Sequence, residues 1–130
     1  MARHGGQILA DALALHGVNR VFSVPGESFL AALDGLYENG IANVVCRQEG
    51  GAAMMAEAWG KLTGRPGVLF VTRGPGASNA SAGLHVAMQD STPLVAFVGQ
   101  IARNHRDREA FQEVNYRGFF GGMVKWVAEV

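Results

Sequence analysis

Apolar residues recur at helical spacing at Ile8, Leu9, Ala12 and Leu13, and the pattern stops at Gly17. Arg20 to Val24 then has the length and apolar content of a short strand, closed by Pro25-Gly26. Ser28 is placed to cap a second helix with Phe29, Leu30, Leu33, Leu36 and Tyr37 along its inner stripe, and Asn39-Gly40 ends it. A strand is expected from Asn43 to Cys46 and a helix from Gly50 to Leu62. Val68-Leu69-Phe70-Val71 is a continuous apolar run, as in a strand covered on both faces. A helix from about Ser78 to Gln89, a strand from Leu94 to Val98 and a fifth strand near Met123 to Val127 complete the pattern.

Strands alternating with helices predict an α/β protein, doubly wound, with a mostly parallel sheet and helices on both faces. Ligands of such sheets bind beyond the carboxyl ends of the strands. Four groups of unusual residues fall at those ends: Pro25-Gly26-Glu27, Gln48-Glu49, Thr72-Arg73-Gly74-Pro75-Gly76 and Gly99-Gln100. Their convergence on one edge is the main indication of a site.

Composition narrows the class. The chain has 130 residues, 48% of them hydrophobic and 17% charged, which suits one compact domain over 1–130. Eleven basic and eleven acidic side chains cancel, so no basic field attracts nucleic acid or an anionic membrane. The single cysteine, Cys46, excludes an internal disulfide framework and fits a reducing, cytoplasmic setting. No apolar run reaches the ~18 residues of a membrane span. The start, Met1 to Gln7, enters a helical pattern directly, so no signal peptide is expected. Histidines 4, 16, 85 and 105 lack the spacing of metal ligands, and no metal site is expected in this chain.

Several residues carry candidate chemistry, each beside a plainer account. Glu49 stands in the first turn of its helix, where a carboxylate meets unpaired N–H groups and the positive end of the dipole. The pattern alone favours that plainer account; the alternative is a partly buried acid held ready to exchange a hydrogen bond with a ligand. Gly74-Pro75-Gly76-Ala77-Ser78-Asn79 follows a strand and opens a helix, as anion-binding turns do. It lacks both the Lys-Ser/Thr ending of a nucleotide-triphosphate loop and the Gly-x-Gly-x-x-Gly of a dinucleotide fold. Close backbone approach to a flat ligand, or a tight turn capped by Ser78, accounts for it as well. Met54, Met55 and Met88 read as core filler. From Ala102 to Arg117 the chain is strongly polar, interrupted at Ala110-Phe111-Gln112-Glu113-Val114, and a loop that long usually contacts a ligand or partner.

Five blocks in order, "VFSVPGESFL", "CRQEGGAAMMAEAWGKLTG", "VLFVTRGPGASNAS", "DSTPLVAFVGQ" and "AFQEV", resemble the amino-terminal, pyrimidine-binding domain of thiamine-diphosphate enzymes, on the acetolactate synthase-like branch. The match runs from about Gly6 to Trp126. The resemblance implies that Glu49 hydrogen-bonds N1′ of the aminopyrimidine and starts the proton relay to C2 of the thiazolium. It implies that Pro25, Gly26 and Glu27 face the pyrimidine edge, that Thr72, Gly74 and Asn79 belong to the glycine-rich turn near the cofactor, and that Gln112, with Phe111 beside it, reaches the reacting centre. By the same resemblance the diphosphate and its Mg2+ are held by another domain, so the Gly-Pro-Gly turn is not a phosphate cradle.

The activity implied is a carboligase's: decarboxylation of a 2-oxo acid such as pyruvate and condensation with a second carbonyl compound. A dimer or tetramer is implied, with the site shared with the diphosphate-binding domain of a partner subunit. FAD is compatible with the parent enzyme and is not assigned to this chain. The chain departs from the family pattern at Arg73, where a small residue is common and which places a cation near the substrate, at Glu27-Ser28, which replace a glycine-containing version, and at Asn115, where aspartate is usual. The chain also stops before the last strand expected of this domain, so a fragment or one piece of a split enzyme is expected, inactive alone. A different 2-oxo acid decarboxylase or lyase of the same superfamily, and a non-catalytic assembly or binding module, are the competing readings.

Overall fold

A computed structural model describes residues 3–130. Its order is α1 (Gly5–Leu15), β1 (Arg20–Ser23), a 3-10 turn (Glu27–Phe29), α2 (Leu30–Glu38), β2 (Ala42–Val45), α3 (Glu49–Thr63), β3 (Gly67–Val71), α4 (Gly74–Gln89), β4 (Leu94–Val98), a second 3-10 turn (Arg103–His105) and α5 (Tyr116–Phe120). The four strands form one parallel sheet in the order β2-β1-β3-β4. The expected doubly wound α/β architecture is therefore present. The expectation for the start of the chain falls partly on Met1 and Ala2, outside the described residues; from His4 onward, a reciprocal cap opens α1, with His4 Nδ1 accepting from the Gln7 backbone and Gln7 Oε1 from the His4 backbone.

Each face of the sheet has its own core. On one side Ala10, Leu13, Ala32, Leu36 and Ile41 cover Val21, Val68 and Phe70. On the other, Ala52, Ala53, Ala56, Ala77, Ala80 and Leu84 of α3 and α4 join α5 over Phe22, Leu69 and Val71. Strand β3 is buried at all five positions because its alternate side chains feed both cores, which is what its unbroken apolar run encodes. Helices α3 and α4 meet through small residues: a Cβ on Gly83 would stand 2.5 Å from the Ala53 Cβ. That close approach fixes the relative height of the two helices, and with it the site at their amino ends.

Several expectations are corrected. Ser28 does not cap α2; it lies in the 3-10 turn and its hydroxyl bonds the Thr72 hydroxyl at 2.9 Å. The inner stripe of α2 is rotated toward Ala32, Gly35 and Leu36, leaving Leu30 and Tyr37 outside at 58% and 87% exposure. Ala32 and Gly35 permit close contact with α1, so the small residues turn inward. Ser78 is no cap either, since α4 begins at Gly74 with Pro75 in its first turn and the Ser78 hydroxyl donates back to the Gly74 carbonyl. Met54, Met55 and Met88 are exposed, because the tight α3–α4 contact is filled by alanine and glycine. The fifth strand is absent among the described residues. The amides of Met123 and Val124 are spent on the Phe120 carbonyl, and Met123, Val124 and Val127 pack across the α5 side of the core instead of pairing with β4.

Candidate active site

The carboxyl edge of the sheet collects the four unusual groups, as the pattern required. Three of them form two adjacent clusters joined by the first turn of α4, while Gly99 and Gln100 bond Tyr116 and Val114.

In the first cluster, Glu49 is the first residue of α3, with Gln48 as N-cap accepting from the Gly51 backbone at 2.9 Å. Glu49 is half-buried, and its Oε2 accepts a hydrogen bond from Asn79 Nδ2 of α4 at 2.9 Å. Among the described residues no hydrogen bond occupies Oε1, which points across Gly76 at the start of α4. A Cβ at position 76 would meet Thr72 Cγ2 at 2.9 Å and lie in ordinary contact with that oxygen at 3.5 Å. The result is a carboxylate with one oxygen held and one open, beside bare backbone.

The second cluster is built on Arg73. Its side chain is buried, with the residue only 9% exposed, and its Nη2 is ion-paired with Glu27 in the turn after β1. Nη1 donates to the Phe111 carbonyl at 3.2 Å, and the guanidinium carbon lies 5.8 Å from the centre of the Phe111 ring. Next in the chain, the Gly74 N–H donates to the Gln112 carbonyl at 3.0 Å. Gly26 is required where the β1 turn crosses Thr72, since a Cβ there would lie 2.6 Å from the Thr72 Cβ.

The predicted residues thus divide. Glu49, Asn79, Gly74 and Thr72 share the start of α4, and Gly26 and Glu27 reach it through Thr72 and Arg73. Pro25 is exposed. Phe111 is 73% exposed, and Gln112 is brought in through its backbone. Sequence reasoning missed Tyr116, whose buried hydroxyl donates to the Gly99 carbonyl at 3.0 Å and so holds the end of β4. Burial pushes that hydroxyl up to about 12, with Arg73 opposing and Glu129 reinforcing the rise. It also missed Glu113, whose carboxylate accepts from the backbones of Asp107 and Ala110 and folds the loop before α5. Those N–H groups, Asp107 foremost, hold its carboxyl below the usual range. Charge patterning alone gave no signal for either residue.

A cavity of about 600 Å3, mostly apolar, lies along β4 and the segment after α5, and Glu49 is not among its lining residues. Its polar lining includes Arg106 paired with Glu129, and Gln100 and Tyr116 bonded to backbone carbonyls; the candidate site is placed at Glu49 instead because that carboxylate keeps one oxygen open. Among the described residues no helix is long and apolar enough to cross a membrane.

The sequence profile of one family, described as "Thiamine pyrophosphate enzyme, N-terminal TPP binding domain", matches residues 3–119. The chain belongs to this family. Its relatives in the family include the acetolactate synthase isozyme 2 large subunit of Escherichia coli (strain K12), 43% identical over 115 residues that cover 88% of this chain and 21% of that one. The acetolactate synthase of Bacillus subtilis (strain 168) is 40% identical over 126 residues, 97% of this chain and 22% of that one. The mitochondrial acetolactate synthase catalytic subunit of Aspergillus candidus is 35% identical over 127 residues, 97% of this chain and 18% of that one. The chain therefore spans about a fifth of the length of these relatives. Within this family, it is an amino-terminal domain of the acetolactate synthase-like branch.

Proposed function

We propose that the chain forms the pyrimidine-binding part of a thiamine-diphosphate-dependent carboligase acting on 2-oxo acids, with Glu49 as the acid that binds the pyrimidine ring. The observation that carries the reading is the Glu49 carboxylate, oriented through Oε2 by Asn79 and open at Oε1 beside Gly76. An aminopyrimidine needs such a partner: one directed carboxyl oxygen, with no side chain between it and the ring.

When bound, the cofactor supplies the electron sink for decarboxylating a 2-oxo acid and joining the product to a second carbonyl compound. The chain's own residues bind and orient. Glu49 holds a proton at Oε1 for exchange with the ring nitrogen, and its half-buried place strengthens that single hydrogen bond. Asn79 fixes the carboxyl rotamer, Gly76 keeps a side chain away from the open oxygen, Gly74 lets the Gln112 carbonyl approach, and Pro25, Gly26, Glu27 and Thr72 border the ring's edge. Gln112, with Phe111 beside it, faces the substrate.

On this reading the diphosphate and Mg2+ belong to a domain outside residues 1–130, contributed by a partner subunit of a homodimer or homotetramer, and FAD has no site in this chain. The exposed Met54, Met55 and Leu62 of α3 support a subunit contact through that helix. The enzyme is cytoplasmic, a setting that the free thiol of Cys46 suits.

The test is Glu49→Gln in the full-length enzyme, followed by deuterium exchange at C2 of bound thiamine diphosphate. The variant is expected to bind cofactor and to slow exchange by ~10²–10⁴-fold, the usual worth of a positioned acid–base group. Exchange at the wild-type rate would remove Glu49 from the relay.

A further inference from the structure

The loop that presents Phe111 and Gln112 has no regular element to hold its tip. Asp107, Glu109 and Gln112 all lie in the left-handed region, at φ 61°, 54° and 64°. Residues with a Cβ persist there only where surrounding contacts over-determine them. Glu113 supplies those contacts for the first part of the loop, and Arg73 supplies them at the tip.

Arg73 makes three contacts in two directions: the ion pair to Glu27, the hydrogen bond to the Phe111 carbonyl and the face of the Phe111 ring. Its Nε is also buried, without a partner among the described residues. A buried guanidinium is costly once a partner is removed, so its contacts hold the two segments it joins in one arrangement. Its paired nitrogens are not open to a substrate. The neighbouring Gly74 N–H holds the Gln112 carbonyl, so two consecutive residues grip both residues of the loop tip. The fold brings Arg73 and Glu27, 46 positions apart in the sequence, into contact. Beside them Ser28 bonds Thr72.

We propose that Arg73 is a positioning residue: it ties the Glu27 turn to the Phe111–Gln112 loop and so sets where Gln112 stands relative to Glu49 at the start of α4. The inference rests on the reading that Glu49 and Gln112 serve one cofactor site. It adds that the loop's place is fixed from the pyrimidine side, by a buried cation.

Two measurements on the full-length enzyme test it. The first is limited trypsin digestion without cofactor, following cleavage after Arg108. Arg73→Met should speed that cut at least threefold while the rest of the chain digests as in the wild type. The second compares steady-state kcat with C2 deuterium exchange in the loaded enzyme. In Arg73→Met, kcat should fall at least tenfold more than exchange does, because the Glu49 side of the site is carried by α3 and α4. A purely structural loss would lower both in proportion. Arg73→Lys keeps the charge for Glu27 but not the planar fork, and should fall between wild type and Arg73→Met in both measurements. If Arg73→Met digests faster at every site alike, it is unfolded and the lysine variant decides. Wild-type cleavage after Arg108, or parallel loss of kcat and exchange, in the deciding variant overturns the proposal. Failure of the Glu49 reading would appear separately, as wild-type exchange in Glu49→Gln, and would leave the digestion result standing.

Discussion

Glu49 and Gln112 approach the same helix start by opposite routes. Glu49 is the first residue of a 15-residue helix seated on the sheet, its carboxyl held by a neighbouring helix through Asn79. Gln112 lies in left-handed backbone within a polar loop, held through its carbonyl and through contacts of its neighbours. The first position depends on apolar packing far from the site. The second depends on a few charged and polar contacts close by. One half of the site should therefore fail when the core fails, and the other should fail while the core stays intact.

The sharpest way to break that contrast is in the core. Leu69 of β3 is fully buried beneath α3 and α4, so Leu69→Ala should lower unfolding free energy by ~2–5 kcal/mol in urea titration. A change below about 0.5 kcal/mol would mean that the helix-borne half does not rest on this core. Next in size is Asn79→Ala, which removes the side-chain bond that orients Glu49 among the described residues. Loss of the oriented rotamer should slow C2 exchange by about tenfold, equivalent to ~1.4 kcal/mol in the barrier, while the unfolding midpoint moves little because the pair is exposed to solvent. Unchanged exchange would show that the Glu49 rotamer is set elsewhere.

The smallest effect concerns the loop. Backbone N–H groups of Asp107 and Ala110 favour the charged form of Glu113, so its folded value lies below its unfolded one. The contribution is fully present above the ordinary carboxylate range, ~4.3, and is lost as pH falls through the lowered folded value. Amide exchange at Asp107 and Ala110, corrected for intrinsic rates, should lose protection across that acid window, and Glu113→Gln should show the loss already at neutral pH. Protection independent of pH in the wild type would remove Glu113 as the loop's organiser.

The same contrast explains what could be read in the sequence. The apolar run from Val68 to Val71 and the helical periodicities that follow are local signals, and they located the strands and helices to within a few residues. The placing of Glu49 at a helix start followed directly. Helix caps were less legible, because Ser28 and Ser78 are recruited by Thr72 and by the Gly74 carbonyl, partners that only the fold reveals. Met123 to Val127 has strand-like composition, yet two of its amides turn back to Phe120. The exposure of Met54, Met55 and Met88 follows from how closely α3 and α4 approach, a tertiary fact. The grip of Arg73 on Glu27 and Phe111 joins residues 46 and 38 positions apart, so neither periodicity nor turn chemistry could encode it.

The account stands on contact between the open oxygen of Glu49 and the pyrimidine ring nitrogen. The most direct measurement is the 15N resonance of N1′ in labelled thiamine diphosphate bound to the full-length enzyme, compared between wild type and Glu49→Gln at equal occupancy. The account predicts that the resonance moves on substitution, because its hydrogen-bond partner has changed from an acid to an amide. A resonance identical in the two proteins would contradict it.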